Sequence, residues 1–423
     1  MDLDLSEEQE LLANTVAKLI ERHCPVSKVR SLIDEGAGID RGTWRRYGAV
    51  GLFGLLVPGS HGGSSTGSDD MIAAALVCEE MGRNLQPGPF VPTLLVAQAL
   101  AESERTDASA VVLDDLPSGR QVATWAVAER GSCDPADVVL EARREASGYV
   151  LSGMKDLVHD AHRADEVLVT ARLDGSLADF LVPTGTAGVS SIPYGSLDVT
   201  RRYGQLLLDG VHLPAAALVG RWPDAEASIA RRFDRSVALQ CAETVGATAA
   251  IFELTVEYAK DRLSFGRPIG SYQAIKHRLA DMMMLLEAAK ATAASVARQM
   301  SGEASDSLLA STGKSYVAEA CTTVVQEALQ IHGGIGFTWE HDLHLYLRRV
   351  KSNEALLGTP SWHRERIYGL IATGSRADGG PPADGGAPVD GGARVDGGAR
   401  VEAGQAAAGR HDEAHPDRAG ASA

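Results

Sequence analysis

Three stretches in the C-terminal half of this 423-residue chain combine residue types at spacings that suit a ligand. Arg262-Leu263-Ser264-Phe265-Gly266-Arg267-Pro268-Ile269 runs into Tyr272-Gln273-Ala274-Ile275-Lys276-His277-Arg278-Leu279-Ala280-Asp281-Met282. This reads as a helix end, a tight turn and a new helix start, where an arginine and free amides can bind phosphate. Gln330-Ile331-His332-Gly333-Gly334-Ile335-Gly336-Phe337 carries a glycine pair, which lets a ligand approach the backbone closely. Gly358-Thr359 follows a helical run, but the residue before it is Leu357, which cannot move a proton. Either of the first two stretches is equally explained by a helix hairpin with C-cap glycines.

Other candidate motifs lack their context. Gly63-Ser64-Ser65-Thr66-Gly67 matches a nucleophile-elbow string, yet the preceding apolar run ends at Val57, too far upstream to feed a strand into it. Thr312-Gly313-Lys314-Ser315 mimics the end of a phosphate loop, but position 308 is leucine instead of glycine. It lies in a helical run, which makes Lys314 a solvated or salt-bridged helix residue. His332, His341 and His344 have no carboxylate or histidine cluster at zinc spacing, and no GxGxxG follows a strand. Five scattered cysteines without a CxxC fit a reduced, cytoplasmic protein. The net charge of −16 argues against nucleic-acid binding. The absence of a long uncharged apolar run and of a basic-then-apolar leader argues against membrane insertion or export.

The elements around these stretches fall into an α+β arrangement of three domains. Ser6 with Gln9 forms a capping-box pattern ahead of Leu11, Leu12, Val16, Leu19 and Ile20. Helical runs follow at TWRRYGAVGLFGLLVP, DMIAAALVCEEMGRNL and TLLVAQALAES, so 1–119 is expected to be helical. ATWAVAE, GYVLSG, DEVLVTARL, ADFLVP and GQLLLDGVHL are short β-type runs separated by turn residues, giving a β-domain over 120–220. Helical periodicity then returns in three long runs and a fourth after 340, a bundle over 225–373. Asp378, Asp384, Asp390 and Asp396 each begin a DGG triplet, and 374–423 is expected to be a disordered tail.

In this order and spacing the motifs resemble the acyl-CoA dehydrogenase family: RxxFGxPI, the helix QAIKHRLADM, QxxGGxGF and the terminal Gly-Thr, with VPxxxGG and EEMGR near the N-terminus. The resemblance covers about residues 1–372 and implies a helical N-domain, a β-barrel middle domain, a C-terminal four-helix bundle, and FAD. It implies that Arg262, Phe265, Gln273, Gln330, Gly333 and Gly334 hold the ADP half of the cofactor across a subunit interface, with Thr359 near the flavin. Phe233-Asp234 matches a pair that contacts the thioester arm. A dimer or tetramer is implied, as are an acyl-CoA or carrier-bound acyl thioester as substrate and electron-transfer flavoprotein or another acceptor. The implied reaction is α,β-dehydrogenation, with α-proton abstraction by a carboxylate and β-hydride transfer to flavin N5.

The pattern breaks where that chemistry resides. The implied base positions are Leu357 and, in a minority of members, Ser236; neither is an acid, and the arginine expected next is Val237. Glu243 is the carboxylate left on that helix, seven residues beyond Ser236 and so about 10 Å along the same face. It is either a paired structural glutamate or a base or reader of a polar acyl group. Glu354, three residues before Leu357, is expected to be solvated. The family's TEPxxGSD appears as Ala128-Glu129-Arg130-Gly131-Ser132-Cys133-Asp134, with Ser132 the remaining hydroxyl, and GxKxWITNA as Gly153 to Ala161. There Leu157 stands for the flavin-stacking Trp and His159 for the flavin-contacting Thr. The half of the cofactor site lent to a neighbour is retained, whereas the half kept for the chain's own flavin is eroded. The expectation is either an active dehydrogenase, a non-catalytic or half-site-donating subunit of a heteromer, or a flavoenzyme diverted to other chemistry.

Overall fold

A computed structural model describes residues 5–67, 69–103, 107–301 and 306–377. The N-terminal domain contains α1 (Glu7–His23), α2 (Val26–Asp34), α3 (Arg41–Ala49), α4 (Asp70–Arg83), α5 (Phe90–Glu102) and α6 (Asp107–Asp115). Ser6 and Gln9 close a reciprocal capping box on α1, which satisfies two amides that the first turn would otherwise leave unpaired. The run predicted as one helix from Thr43 to Pro58 breaks after α3, because Gly51 adopts φ 83° and the chain continues as a 3-10 turn at Leu52–Gly54.

The middle domain holds β1 (Ala123–Ala126), β2 (Glu141–Glu145), β3 (Gly148–His159), β4 (Glu166–Leu173), β5 (Ser176–Pro183), β6 (Val189–Tyr194), β7 (Tyr203–Pro214) and β8 (Leu218–Val219). They form one sheet in the order β6-β7-β3-β2-β4-β5-β8, with β1 also pairing in parallel with β4. No ladder joins β6 to β8 among the described residues, so the expected barrel takes the form of a sheet with two edges. Within β3 the register to β7 shifts between Lys155 and Val158. That bulge turns Leu157, at φ 50°, and then His159 toward the C-terminal domain.

The third domain comprises α7 (Glu226–Asp261), a small hairpin of β9 (Leu263–Ser264) and β10 (Arg267–Pro268), then α8 (Gln273–Gln299), α9 (Ser307–His332), α10 (Leu343–Ala355) and α11 (Pro360–Ala377). The expected bundle boundary at 373 falls inside α11, and the remainder of the expected tail lies outside the described residues. α7 is buried almost without interruption from Arg232 to Ile251. It is the one described helix long and apolar enough to cross a membrane, and its apolar span is the core of the bundle. α4 and α7 cross at two glycines: a Cβ on Gly82 would lie 1.9 Å from the Glu243 carbonyl, and one on Gly246 1.9 Å from that of Glu79. This close approach fixes where on α7 the Glu243 side chain emerges.

Candidate active site

A cavity of about 110 Å³ lies where the three domains meet. The start of α5 contributes Phe90, Val91 and Pro92, and β1 with its continuation contributes Trp125, Val127 and Ala128. The β3 bulge supplies Asp156, Leu157 and His159, and α7 supplies Ser236, Gln240 and Glu243 at the spacing of one helix face. Leu356 and Leu357, at the end of α10, close it. The two implied base positions and Glu243 therefore line one cavity, Ser236 and Glu243 from α7 and Leu357 from the end of α10. Leu357 has φ 59° and Gly358 φ 100°, an uncommon conformation for leucine; the Leu357 carbonyl is fixed by Nε2 of buried His363 at 2.9 Å.

Two carboxylates line the cavity, and both are committed to partners. Asp156 accepts from the Arg130 amide at 3.0 Å and from Gln205 Nε2 at 3.0 Å. Glu243 Oε1 accepts from Arg201 Nη2 and, at 2.8 Å, from Arg349 Nη1, while Oε2 accepts from Asn353 Nδ2 at 3.3 Å. Arg349 is fully buried and also donates to Asp198, to the Thr200 hydroxyl and to the Leu85 and Gln86 carbonyls. Burial opposes the charge on Asp198, but Arg349 and Arg201 beside it hold its carboxyl below the usual range. Two guanidiniums thus face two carboxylates in a network of zero net charge. A carboxylate so engaged is a structural counter-ion, and the geometry does not support Glu243 as base. Sequence reasoning missed Arg201, Arg349, Asn353 and Asp198. Their one signal was that a buried Glu243 requires cations, and nothing in the chain says which arginines supply them.

His159 lines the cavity, stacks on Tyr203 with ring centroids 4.8 Å apart, and its Nε2 has no hydrogen-bond partner among the described residues. Burial, then the charges of Arg201 and Arg349, push its pKa well below the ordinary histidine value, so the ring is neutral at pH 7. Asp160 behind it is fully buried with neither oxygen hydrogen-bonded among the described residues, and burial raises its pKa to about 7.

Other expected site residues lie elsewhere. Ser132 is half-buried, but its hydroxyl donates to Asp137 at 2.7 Å and accepts from the Asp134 amide at 3.2 Å, closing a local turn. Thr359 is exposed and its hydroxyl caps α11 by accepting from the Trp362 amide at 3.2 Å. Phe233 and Asp234, expected on the thioester arm, are sealed inside the bundle at 1% and 0% exposure. Arg366 of α11 donates to Asp234 at 2.9 Å and stacks over Phe233 at 5.2 Å, while Ser307 donates to Asp234 at 2.5 Å. Lys314, expected to be solvated or salt-bridged, is 2% exposed and donates to two neutral acceptors, Gln240 Oε1 and the Asn353 carbonyl. Burial lowers its pKa to about 8. Glu354 is half-buried and pairs with Lys351.

Arg262, Phe265, Gln273, Gln330, Gly333 and Gly334 are all exposed and gather at one end of the bundle. The C-termini of α7 and α9 meet there, with Tyr258 stacked on His332 at 4.3 Å, and α8 begins beside them. Phe265 is 96% exposed at φ 51°, and Gly333 has φ 64°. An arginine, a fully presented aromatic ring and a glycine pair with open space at both Cβ positions fit the ADP half of FAD. This end stands about 28 Å along α7 from Glu243, so the chain does not fold it onto its own cavity. The cavity fits the flavin half poorly. Sites for ligands of that size measure roughly 300–1,000 Å³, and Leu157, His159 and Leu357 project into the smaller space found here.

Comparison with known proteins agrees with this architecture. The acyl-CoA dehydrogenase N-terminal domain matches residues 6–108 and the acyl-CoA dehydrogenase C-terminal domain matches residues 227–370. Acyl-CoA dehydrogenase IpdE2 of Mycobacterium tuberculosis is 33% identical over 84% of this chain and 94% of its own length. Among solved structures, the ChsE4-ChsE5 complex from Mycobacterium tuberculosis matches at TM-score 0.79 and 27% identity, over 88% of this chain and 99% of the other. A Tcur3481-Tcur3483 steroid acyl-CoA dehydrogenase variant matches at TM-score 0.79 and 28% identity over the same shares. The three-domain fold, the bundle-end motifs and these matches together place the chain in the acyl-CoA dehydrogenase family of FAD-dependent oxidoreductases.

Proposed function

We propose that this chain is one subunit of a heteromeric acyl-CoA dehydrogenase. In this reading it presents the ADP-binding end of its bundle to a related partner and does not abstract the substrate proton itself. The observation that carries the reading is the cavity: both base positions are non-acidic, and Asp156 and Glu243 are tied up by other groups. FAD, when bound, accepts the two electrons of the oxidation. This chain's part is to position it: Arg262 would hold its phosphates, Phe265 would offer an aromatic surface, and Gly333 and Gly334 would allow close backbone approach. The base comes from the partner, because an unassisted thioester α-proton is too weakly acidic and a positioned base contributes about 10²–10⁴-fold.

Two features support a related protein as the partner. The exposed apolar surface near the bundle end includes Leu263, Phe265, Ile335 and Phe337, with Met283 and Met284 on α8, more than a free subunit needs to expose. Two of the similar structures carry two-component names, ChsE4-ChsE5 and Tcur3481-Tcur3483, the first described as a complex. The test is to purify the chain alone and co-expressed with a homologue that keeps its glutamate, then measure flavin per chain and anaerobic bleaching by a panel of acyl-CoAs. The pair should bind FAD and bleach, and the chain alone should do neither. Full FAD occupancy with thioester-dependent bleaching of the isolated chain would overturn the proposal.

A further inference from the structure

The central cavity is not a mere remnant, because two buried polar atoms of its lining residues, His159 Nε2 and Arg201 Nε, are left without partners among the described residues. His159 is 7% exposed, and its Nε2 makes no hydrogen bond among the described residues. The nearest Asp160 oxygen is 3.6 Å from Nε2, beyond hydrogen-bond reach. Tyr203 lies flat against the imidazole on the same wall. Of the other polar groups there, Ser236 donates to the Arg232 carbonyl, Gln240 accepts from Lys314, and Arg201 is paired with Glu243 through Nη2, while the buried Arg201 Nε has no partner among the described residues. Buried polar groups left unpaired each cost about 1–3 kcal/mol, so this pair calls for an external partner.

We propose that the cavity binds a compact, uncharged molecule, of one ring or a branched chain, that carries a single hydroxyl. The apolar body lies against Phe90, Trp125, Leu157 and Leu357, and the hydroxyl meets His159 and Tyr203. Size sets the first limit: at about 110 Å³ the cavity is smaller than an engineered apolar one of about 150 Å³ that takes benzene. One ring is therefore the upper bound and is reached only if the side chains at the cavity mouth yield slightly. Charge sets the second: Arg201 and Arg349 are balanced by Glu243 and Asp198, leaving no excess cation for a carboxylate. A hydroxyl both donates and accepts, so it satisfies a neutral imidazole in either tautomer. The inference rests on the half-site reading, in which flavin does not enter this cavity.

Phenol is the probe, titrated calorimetrically into the flavin-loaded heteromer, with benzene as the same body without the hydroxyl and benzoate as the charged control. Phenol should saturate one site per copy of this chain and bind at least about tenfold tighter than benzene, as the loss of one buried hydrogen bond requires. Benzoate should not bind. His159→Phe fills the space and should abolish binding. His159→Ala, which enlarges it, should still take benzene, with phenol no longer preferred. Equal affinity for phenol and benzene in the wild type, or no phenol binding with or without flavin, overturns the inference. Phenol binding to the flavin-free chain that disappears on flavin loading overturns the half-site reading and upholds the hydroxyl contact.

Discussion

Glu243→Gln separates structural from catalytic roles because the two predict opposite readouts. In the folded chain the Glu243 carboxylate receives Arg201 and Arg349, and only Asp198 remains to balance both guanidiniums once its charge is removed. Arg349 is fully buried and Arg201 nearly so, so water cannot screen the uncompensated charge. Breaking a buried pair by deleting one partner costs about 3–5 kcal/mol. At roughly 2–4 °C per kcal/mol for a cooperative unit of this size, Tm should fall on the order of 10 °C. The assay is calorimetry on the chain, together with acyl-CoA-driven bleaching of the heteromer at a temperature where both proteins are folded. Bleaching should proceed at the wild-type rate. A companion Arg201→Met/Glu243→Gln double variant should be more stable than the sum of the two single losses predicts, since it removes one charge of each sign. An unchanged Tm with bleaching lost at least a hundredfold would refute the argument and make Glu243 the base.

Three further outcomes follow from the same geometry. Asp160 has a folded pKa of about 7 against an ordinary 3.8, so the folded state holds the extra proton and stability falls as pH rises through that window. Asp160→Asn should flatten this dependence and stabilise the chain at pH 8 by up to ~4 kcal/mol, the gain shrinking toward pH 4; denaturant titrations at pH 5 and pH 8 check it. Phe265→Ser should leave the stability of the isolated chain within about 0.5 kcal/mol, because the ring is 96% exposed, yet lower the flavin content of the co-purified heteromer. Leu357→Glu restores a carboxylate to the cavity wall but should give the isolated chain no thioester-dependent bleaching; a gain of bleaching there would show that flavin enters this cavity.

Legibility in the sequence differed by feature. The long helices were readable because α7, α8 and α9 each sustain a 3.6-residue apolar period over 26 residues or more, and only local pattern is needed to see it. The short elements β2, β6 and β8 were not, since β2 is mostly exposed, β6 fully buries none of its residues and β8 has two residues. The bundle-end residues were legible because turns there are set by neighbouring residues. Thr359 was readable as a turn residue but not as a cap, because its hydroxyl is taken by the Trp362 amide three residues later.

By itself the sequence determined the order of the domains, the loss of an acid at positions 236 and 357, and the exposed cluster from Arg262 to Gly334. These are local facts: residue identity, period and turn chemistry. The tertiary structure alone decided that Glu243 is held between Arg201 and Arg349, which stand 42 and 106 residues away. It likewise decided that Arg366 seals Phe233 and Asp234, and that Lys314 is buried against neutral acceptors instead of solvated or salt-bridged. The reason is electrostatic. Whether a carboxylate acts as a base or as a counter-ion depends on which charges reach within about 3 Å of it and on how much water is excluded, and both are set by packing between segments that the linear pattern does not connect.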